Sequence, residues 1–275
     1  MHPVYVHIKK ELSPFYAEEE ASAMAKWISS DILHLSTLEL YTGKDMNFST
    51  KEWEELEDIL RRLKLREPLQ YILQEASFCG MSFHVEQGVL IPRPETEELV
   101  EWIVADYREA GQVRILDIGI PVSLAQLLPE AQVSSCDVSA EALRIAATNV
   151  KRYGDKVTLF CADILKEELL ECQVDVLVSN PPYITESERT DMEANVLDWE
   201  PELALFVPDS DPLRFYRRIA RKGLDWLSEG GALYFEINRA YGAETVRMLE
   251  ELGYRQIELR KDLSGNDRMI KAIRP

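Results

Sequence analysis

The stretch Asn180-Pro181-Pro182-Tyr183 offers a primary amide, a carbonyl on Pro181 with no N–H competing beside it, and a flat aromatic face. Such groups suit a planar NH2: two oxygens accept its two hydrogens while a ring covers its π face, and the nitrogen lone pair is held along one line. Three carboxylates recur upstream, each closing an apolar run: Asp117 in LDIG, Asp137 in SCDVS and Asp163 in CADIL. A carboxylate after the second strand of an α/β sheet is placed to accept both ribose hydroxyls of a nucleoside, and one after the third sits near an adenine amino group. A single strand-end Asp is commonly a cap or turn residue. Three in this order, followed by NPPY on the fourth strand, form a constellation.

These residues need a sheet to hold them. VDVLVS, from Val174 to Ser179, reads as a buried parallel strand. The two prolines forbid the ladder from continuing and push the residue before each of them out of the helical region, leaving a stiff loop at the carboxyl end of the strand. Strands and helices alternate from Val113 onward: VRILDIG, VSSCDVS, VTLFCADIL, VDVLVS and ALYFEIN are strands, with helices at PVSLAQLLP, AEALRIAATNVKRYG, PLRFYRRIARKGLDWLSEGG and AYGAETVRMLEELGY, and RQIELRKD and RMIKAIRP close the chain as a hairpin. The pattern predicts an α/β fold: a doubly wound, mostly parallel seven-stranded sheet with one antiparallel edge strand. Crossovers are expected to be right-handed.

Residues 1–75 read differently. From Glu18 to about Leu73 apolar residues recur at helical spacing, with Trp53, Leu56, Ile59, Leu60 and Leu63 on one face and Ser49 and Glu52 as a capping box. An N-terminal helical bundle is expected there. Residues 76–92 read as a linking β-hairpin, with a strand over Phe78 to Val85, a turn at Gln87-Gly88 and a second strand over Val89 to Ile91. The remaining domain, 93–275, opens on Pro92-Arg93-Pro94-Glu95-Thr96, which starts a helix at Glu95 or Thr96.

Composition narrows the function classes. A chain of 275 residues with 46% hydrophobic residues can bury a substantial core. No apolar run approaches the roughly 20 residues of a membrane span, and the N-terminus lacks the apolar core of a signal peptide, so no membrane and a cytoplasmic location are expected. Cys79, Cys136, Cys161 and Cys172 are scattered, and the four histidines, His84 among them, never cluster; no metal site is expected, and the cysteines read as reduced core residues. The net charge of −18 has the wrong sign for binding a phosphate backbone, so a protein partner is favoured over nucleic acid.

NPPY resembles the signature of methyltransferases that act on planar nitrogens, the amide of glutamine or the exocyclic amine of adenine. The chain as a whole resembles the HemK-like methyltransferases, which methylate a glutamine side-chain amide in peptide chain release factors. The likeness runs through REPLQYIL, VLIPRPETEELVEW, ILDIG, SNPPYI, NVLDWEPELALFVPDSDPLRFYRRIA and FEIN. It implies S-adenosylmethionine as cofactor, release factors as partners, and a class I methyltransferase sheet whose helical domain helps seat the protein substrate. It further implies that Asn180, Pro181, Pro182 and Tyr183 receive the glutamine, and that Arg93, Glu95 and Thr96 position it. Asp117, Gly119, Asp137, Asp163, Ile164 and Asn180 would then line the cofactor pocket.

The chain departs from the family at one point. Members continue LD-x-G with further glycines, whereas here Gly119 is followed at once by Ile120-Pro121, a strand-to-helix link about five residues shorter than the family's and at the short extreme for such loops. Because the register holds on both sides, residues of a glycine-rich loop are expected to be missing between Gly119 and Ile120. Adenine-N6 methylation remains an alternative reading, as does a non-catalytic binding protein if the shortened loop is genuine. A nicotinamide oxidoreductase is disfavoured, because no GxGxxG follows the first strand.

Overall fold

The structure is a computed structural model that describes residues 1–43, 48–118, 121–166 and 173–275. The pair Gly119-Ile120, where residues are expected to be missing, lies outside the described residues, as does Cys172. Two compact units emerge: Met1–Gln74 with Glu193–Trp199, and Glu75–Met192 with Glu200–Pro275.

The first unit is helical: α1 (Pro3–Leu12), α2 (Glu18–Trp27), α3 (Thr37–Thr42), α4 (Thr50–Lys64) and α5 (Leu69–Leu73). The expected capping box at Ser49 and Glu52 is present: the Ser49 hydroxyl accepts from the Glu52 N–H at 3.3 Å while Glu52 takes the Ser49 N–H. Leu56, Ile59, Leu60 and Leu63 of α4 are buried among Ile8, Leu12, Ala21 and Ile28, as their spacing predicts, whereas Trp53 stays 40% exposed. Helix α1 lies ahead of the predicted helical stretch. Its signals were Pro3 at the first helical position and Val4, Ile8 and Leu12 four residues apart, all buried.

The second unit opens with the hairpin β1 (Glu75–Phe78) and β2 (Met81–His84). The hairpin's own turn is at Cys79-Gly80, both with positive φ; Gln87-Gly88 is a turn, as expected, but Val89 to Ile91 form no strand after it. Two residues of positive φ match the twist of a tight hairpin, and Cys79 hid the turn by supplying the first of them with a residue that rarely adopts it. Helix α6 (Pro94–Tyr107) follows, with Pro94 itself at the first helical position. Next come β3 (Arg114–Ile118), α7 (Pro121–Leu127), β4 (Gln132–Asp137), α8 (Ala140–Arg152), β5 (Val157–Cys161), β6 (Val174–Ser179) and β7 (Ile184–Thr185). After α9 (Ala194–Trp199), which belongs to the first unit, come α10 (Glu202–Leu205), β8 (Phe206–Val207), α11 (Arg214–Trp226), β9 (Leu227–Glu236), α12 (Gly242–Glu251), β10 (Arg255–Lys261) and β11 (Asp267–Ile273).

Seven of these strands form one sheet in the order β10-β11-β9-β6-β3-β4-β5. It is mostly parallel, as expected, but the antiparallel strand is not at the edge. Strand β11 inserts between β9 and β10, pairing antiparallel with both, so the edge strand β10 runs with the rest. The reason is burial: β11 carries Met269, Ile270 and Ala272 into the core, whereas no residue of β10 is fully buried. Ser228-Glu229-Gly230-Gly231, just ahead of ALYFEIN, belongs to β9, which begins at Leu227.

Chain order reverses between β3 and β6. From β3 the chain proceeds outward through β4 and β5, then returns to lay β6 on the other side of β3, pairing Ile118 with Ser179. The crevice outside the carboxyl ends of two such strands is where α/β sheets bind ligands. NPPY leaves β6 at that crevice.

Candidate active site

A cavity of about 390 Å³ opens at this edge, within the range of small-molecule sites. Its walls include Ile118, Asp137, Ala142, Ile164, Asn180 and Pro181 from the strand ends and the helix after β4, and Arg93 and Thr96 from the start of α6.

The strand-end carboxylates have different surroundings. Asp137 is half-buried and accepts the Ser139 N–H on Oδ1 at 2.7 Å; burial pushes its carboxyl up, against the pull of the Ser139 and Val138 backbone amides. Asp163 also lines the cavity, but its Oδ1 accepts the Leu165 N–H at 2.9 Å and its Oδ2 pairs with Lys166 at 2.9 Å, which holds its carboxyl below the usual range. It therefore organises its own loop, and the neighbouring Ile164 meets the cavity with apolar surface. Asp117 is fully buried behind the cavity wall, where the Ser135 hydroxyl donates to it at 3.2 Å. Gly119 lies outside the described residues.

Asn180, Pro181 and Pro182 line the cavity, whereas Tyr183 does not. The Tyr183 ring packs against the core that holds Tyr216, Phe235 and Ile237, and its hydroxyl donates to Glu236 Oε1 at 3.0 Å. Burial and the adjoining carboxylate both push the Tyr183 phenol up, so it remains a donor. On the other oxygen of Glu236, the Thr96 hydroxyl donates at 2.6 Å, and Thr96 in turn accepts from Asn180 Nδ2 at 3.3 Å. Glu236 is 1% exposed; burial raises its carboxyl, opposed by the Thr96 and Tyr183 hydrogen bonds and the charge of Arg268. Two residues on, Asn238 donates to the Tyr183 carbonyl at 3.0 Å. The end of β9 thus grips Tyr183 by both side chain and main chain.

Arg93 is committed elsewhere. Its guanidinium reaches Glu200 Oε1 at 2.5 Å, while Glu200 Oε2 takes the Ile91 N–H at 3.2 Å, so the pair braces the turn into α6. Glu95 is part-exposed and outside the cavity lining. Of the cysteines, Cys136 is buried, Cys79 partly so and Cys161 exposed, which corrects the expectation that all sit in the core.

Residues 5–73 match the PrmC N-terminal domain, and residues 98–198 match the methyltransferase small domain. Over 280 aligned positions the chain is 48% identical to the release factor glutamine methyltransferase of Bacteroides thetaiotaomicron, with all of both chains covered. It is 41% identical to that of Flavobacterium psychrophilum over 94% of each. The chain belongs to the release factor glutamine methyltransferase family. Among solved structures, the 16S rRNA N2 G1207 methyltransferase of T. thermophilus matches 73% of this chain and 50% of its own with a TM-score of 0.52 at 16% identity, a likeness of fold. The alignment with the Bacteroides relative is longer than the 275 residues of this chain, so that relative carries residues this one lacks.

Family membership brings S-adenosylmethionine as cofactor, and the residues present fit it. The walls are largely apolar, as a nucleoside base requires, and a half-buried acceptor-only carboxylate, Asp137, stands at the end of β4. Sequence reasoning left Glu236, Asn238 and Glu200 without individual roles. The signal for the first was available: a carboxylate inside the apolar run ALYFEIN is costly unless hydrogen-bonded, and is therefore placed for a purpose.

Proposed function

We propose that the NPPY loop receives a glutamine side-chain amide and that Asp137 holds the cofactor's ribose hydroxyls. The reaction is S-adenosylmethionine-dependent methylation of that amide nitrogen in peptide chain release factors. The cofactor supplies an electrophilic methyl group carried on a sulfonium centre.

The protein's task is set by the nucleophile. An amide nitrogen is a poor one because its lone pair is delocalised into the carbonyl. Asn180 Oδ1 and the Pro181 carbonyl accept its two hydrogens, which localises electron density on nitrogen and favours the positive charge that grows there during transfer. Pro181 cannot divert its own main chain into a ladder, having no N–H, and it is buried. Once methylated, the nitrogen's surplus proton is acidic enough to leave to water, so no side chain has to act as a strong base.

Asn180 carries this reading: it lines the cavity at the point where chain order reverses, and its Nδ2 is already engaged by Thr96. Arg93 and Thr96 act from the same wall, Arg93 by bracing the turn through Glu200 and Thr96 through Asn180. Asp163 and Ile164 shape the base-binding wall, and Asp117 supports it from the end of β3. The helical unit, 1–75, helps to seat the release factor, followed by the linking segment 76–92 and the methyltransferase domain 93–275. A cytoplasmic location, where termination of translation takes place, belongs to the same proposal; among the described residues no helix is long and apolar enough to cross a membrane.

Incubation of the protein with a release factor and S-adenosylmethionine, followed by mass spectrometry of the peptides, tests the reading. The expected result is one added methyl on one glutamine. Unmodified glutamine, or methyl groups on another residue type, overturns it.

A further inference from the structure

We infer that Glu236 is a positioning residue, which acts through Thr96 to decide which end of the Asn180 amide faces the substrate. This rests on the proposal that Asn180 receives the glutamine amide.

Thr96 has one hydroxyl hydrogen, and at 2.6 Å from Glu236 Oε2 that hydrogen is spent on the carboxylate, which has none to give when ionised. Toward Asn180 the Thr96 oxygen is then an acceptor only. The group 3.3 Å from it must be the NH2 end of the amide, and Oδ1 is turned away from Thr96. Asn180 lines the cavity, so Oδ1 becomes the acceptor available to the substrate nitrogen. The second carboxylate oxygen is filled by the Tyr183 hydroxyl at 3.0 Å, so one buried group secures both ends of the NPPY loop.

A group at 236 that donates to Thr96 reverses the sequence. Thr96 would then release its own hydrogen toward Asn180, the amide would turn over, and two N–H bonds would face the N–H bonds of the substrate. Glu236→Gln permits this reversal. Thr96→Val removes the relay while keeping the shape of the side chain, and Thr96→Ser restores it.

The experiment measures kcat on saturating release factor, cofactor affinity by calorimetry and thermal stability for wild type, the three single variants and the Glu236→Gln/Thr96→Val double variant. Misorienting one acceptor is expected to lower kcat by about 10- to 100-fold in Glu236→Gln and Thr96→Val, with the cofactor Kd within about threefold of wild type. Thr96→Ser should recover most of what Thr96→Val loses. Because the two residues act in series, the double variant should fall no further than the worse single one. If either single variant loses its fold, the remaining one against Thr96→Ser still decides the matter. Folded variants with unreduced kcat, or a double loss equal to the product of the single losses, overturn the inference while the glutamine reading stands. A wild-type protein that leaves glutamine unmodified overturns both.

Discussion

Asn149 of α8 binds His84 of β2 at both of its main-chain groups: Asn149 Oδ1 accepts the His84 N–H at 2.8 Å, and Asn149 Nδ2 donates to the His84 carbonyl at 2.9 Å. A side-chain amide here takes the place of a neighbouring strand and ties the hairpin to the helix that walls the cavity. Asn149 is 7% exposed, and Asn149→Ala would leave both part-buried main-chain groups of His84 without these partners. The expected cost is about 1–3 kcal/mol. Urea unfolding should show a lower midpoint with an unchanged m-value; a midpoint equal to wild type would mean that water replaces the amide without loss.

Asn180→Ala removes an acceptor that is needed chiefly in the transition state. The expected fall in kcat is about 100- to 1000-fold, the scale set by loss of one preorganised hydrogen-bonding group. Cofactor affinity should stay within about threefold if, as inferred, the relay through Thr96 aims Asn180 Oδ1 at the substrate nitrogen. Single-turnover methylation of a release factor, alongside cofactor titration, separates the two effects. Retention of half the wild-type kcat would assign the acceptor role elsewhere.

If Asp137 holds the cofactor's ribose hydroxyls as proposed, it links cofactor binding to pH. Its carboxyl is raised from 3.8 by burial, so its capacity to accept two ribose hydroxyls is lost in acid at a higher pH than for an exposed aspartate. The cofactor Kd of the wild type should therefore weaken on the acid side before that of a free carboxylate would. In the ligand-free protein the sign is opposite. A carboxyl raised on folding favours the folded state below 3.8, and that contribution is lost as pH rises through the folded value. Asp137→Asn should then raise the ligand-free Tm at neutral pH and shrink the upward shift that S-adenosylmethionine produces. Thermal scans with and without cofactor check both halves, and a ligand-free Tm below that of wild type would contradict the burial argument.

The sheet was legible because its strands are apolar runs ended by Asp, Asn or Gly, and such runs are set by local chemistry. Asn180 and Asp137 could be placed for the same reason, since each follows directly from where its strand must stop. The position of β11 could not be read in this way. Alternation shows that two strands form a hairpin, but which of them enters the sheet depends on the burial of Met269, Ile270 and Ala272 against β9, a non-local outcome. What Glu236 binds was hidden for a related reason. Its partners Thr96 and Tyr183 lie 140 and 53 residues away in the chain, and nothing in FEIN itself names them. The hairpin turn was misplaced because Gln87-Gly88 has the composition of a turn while Cys79, which adopts positive φ, does not.

The helical unit should be separable from the chemistry. Its core of Ile8, Leu12, Ile28, Leu56 and Leu60 is closed upon itself, and residues 5–73 match the PrmC N-terminal domain as a module. None of the proposed cofactor or amide-receiving residues lies in it. A chain beginning at Glu75 should therefore bind S-adenosylmethionine within about threefold of the full chain, since among the described residues the cavity is lined by Phe78 and residues after it. The segment Glu193–Trp199 would lose its packing, including the Trp199 indole N–H that reaches the Leu65 carbonyl at 3.4 Å, so its two ends at Met192 and Glu200 should be joined by a short flexible linker in the truncated chain. If the unit seats the release factor, truncation should lower kcat/KM on the intact substrate by about 100-fold, equivalent to some 2.7 kcal/mol of docking free energy. A short peptide carrying the same glutamine is too small to use that docking, and the two chains should methylate it at comparable rates. Equal losses on peptide and intact substrate would place the unit's contribution in the catalytic site itself, and equal activity on intact release factor would remove it from recognition altogether.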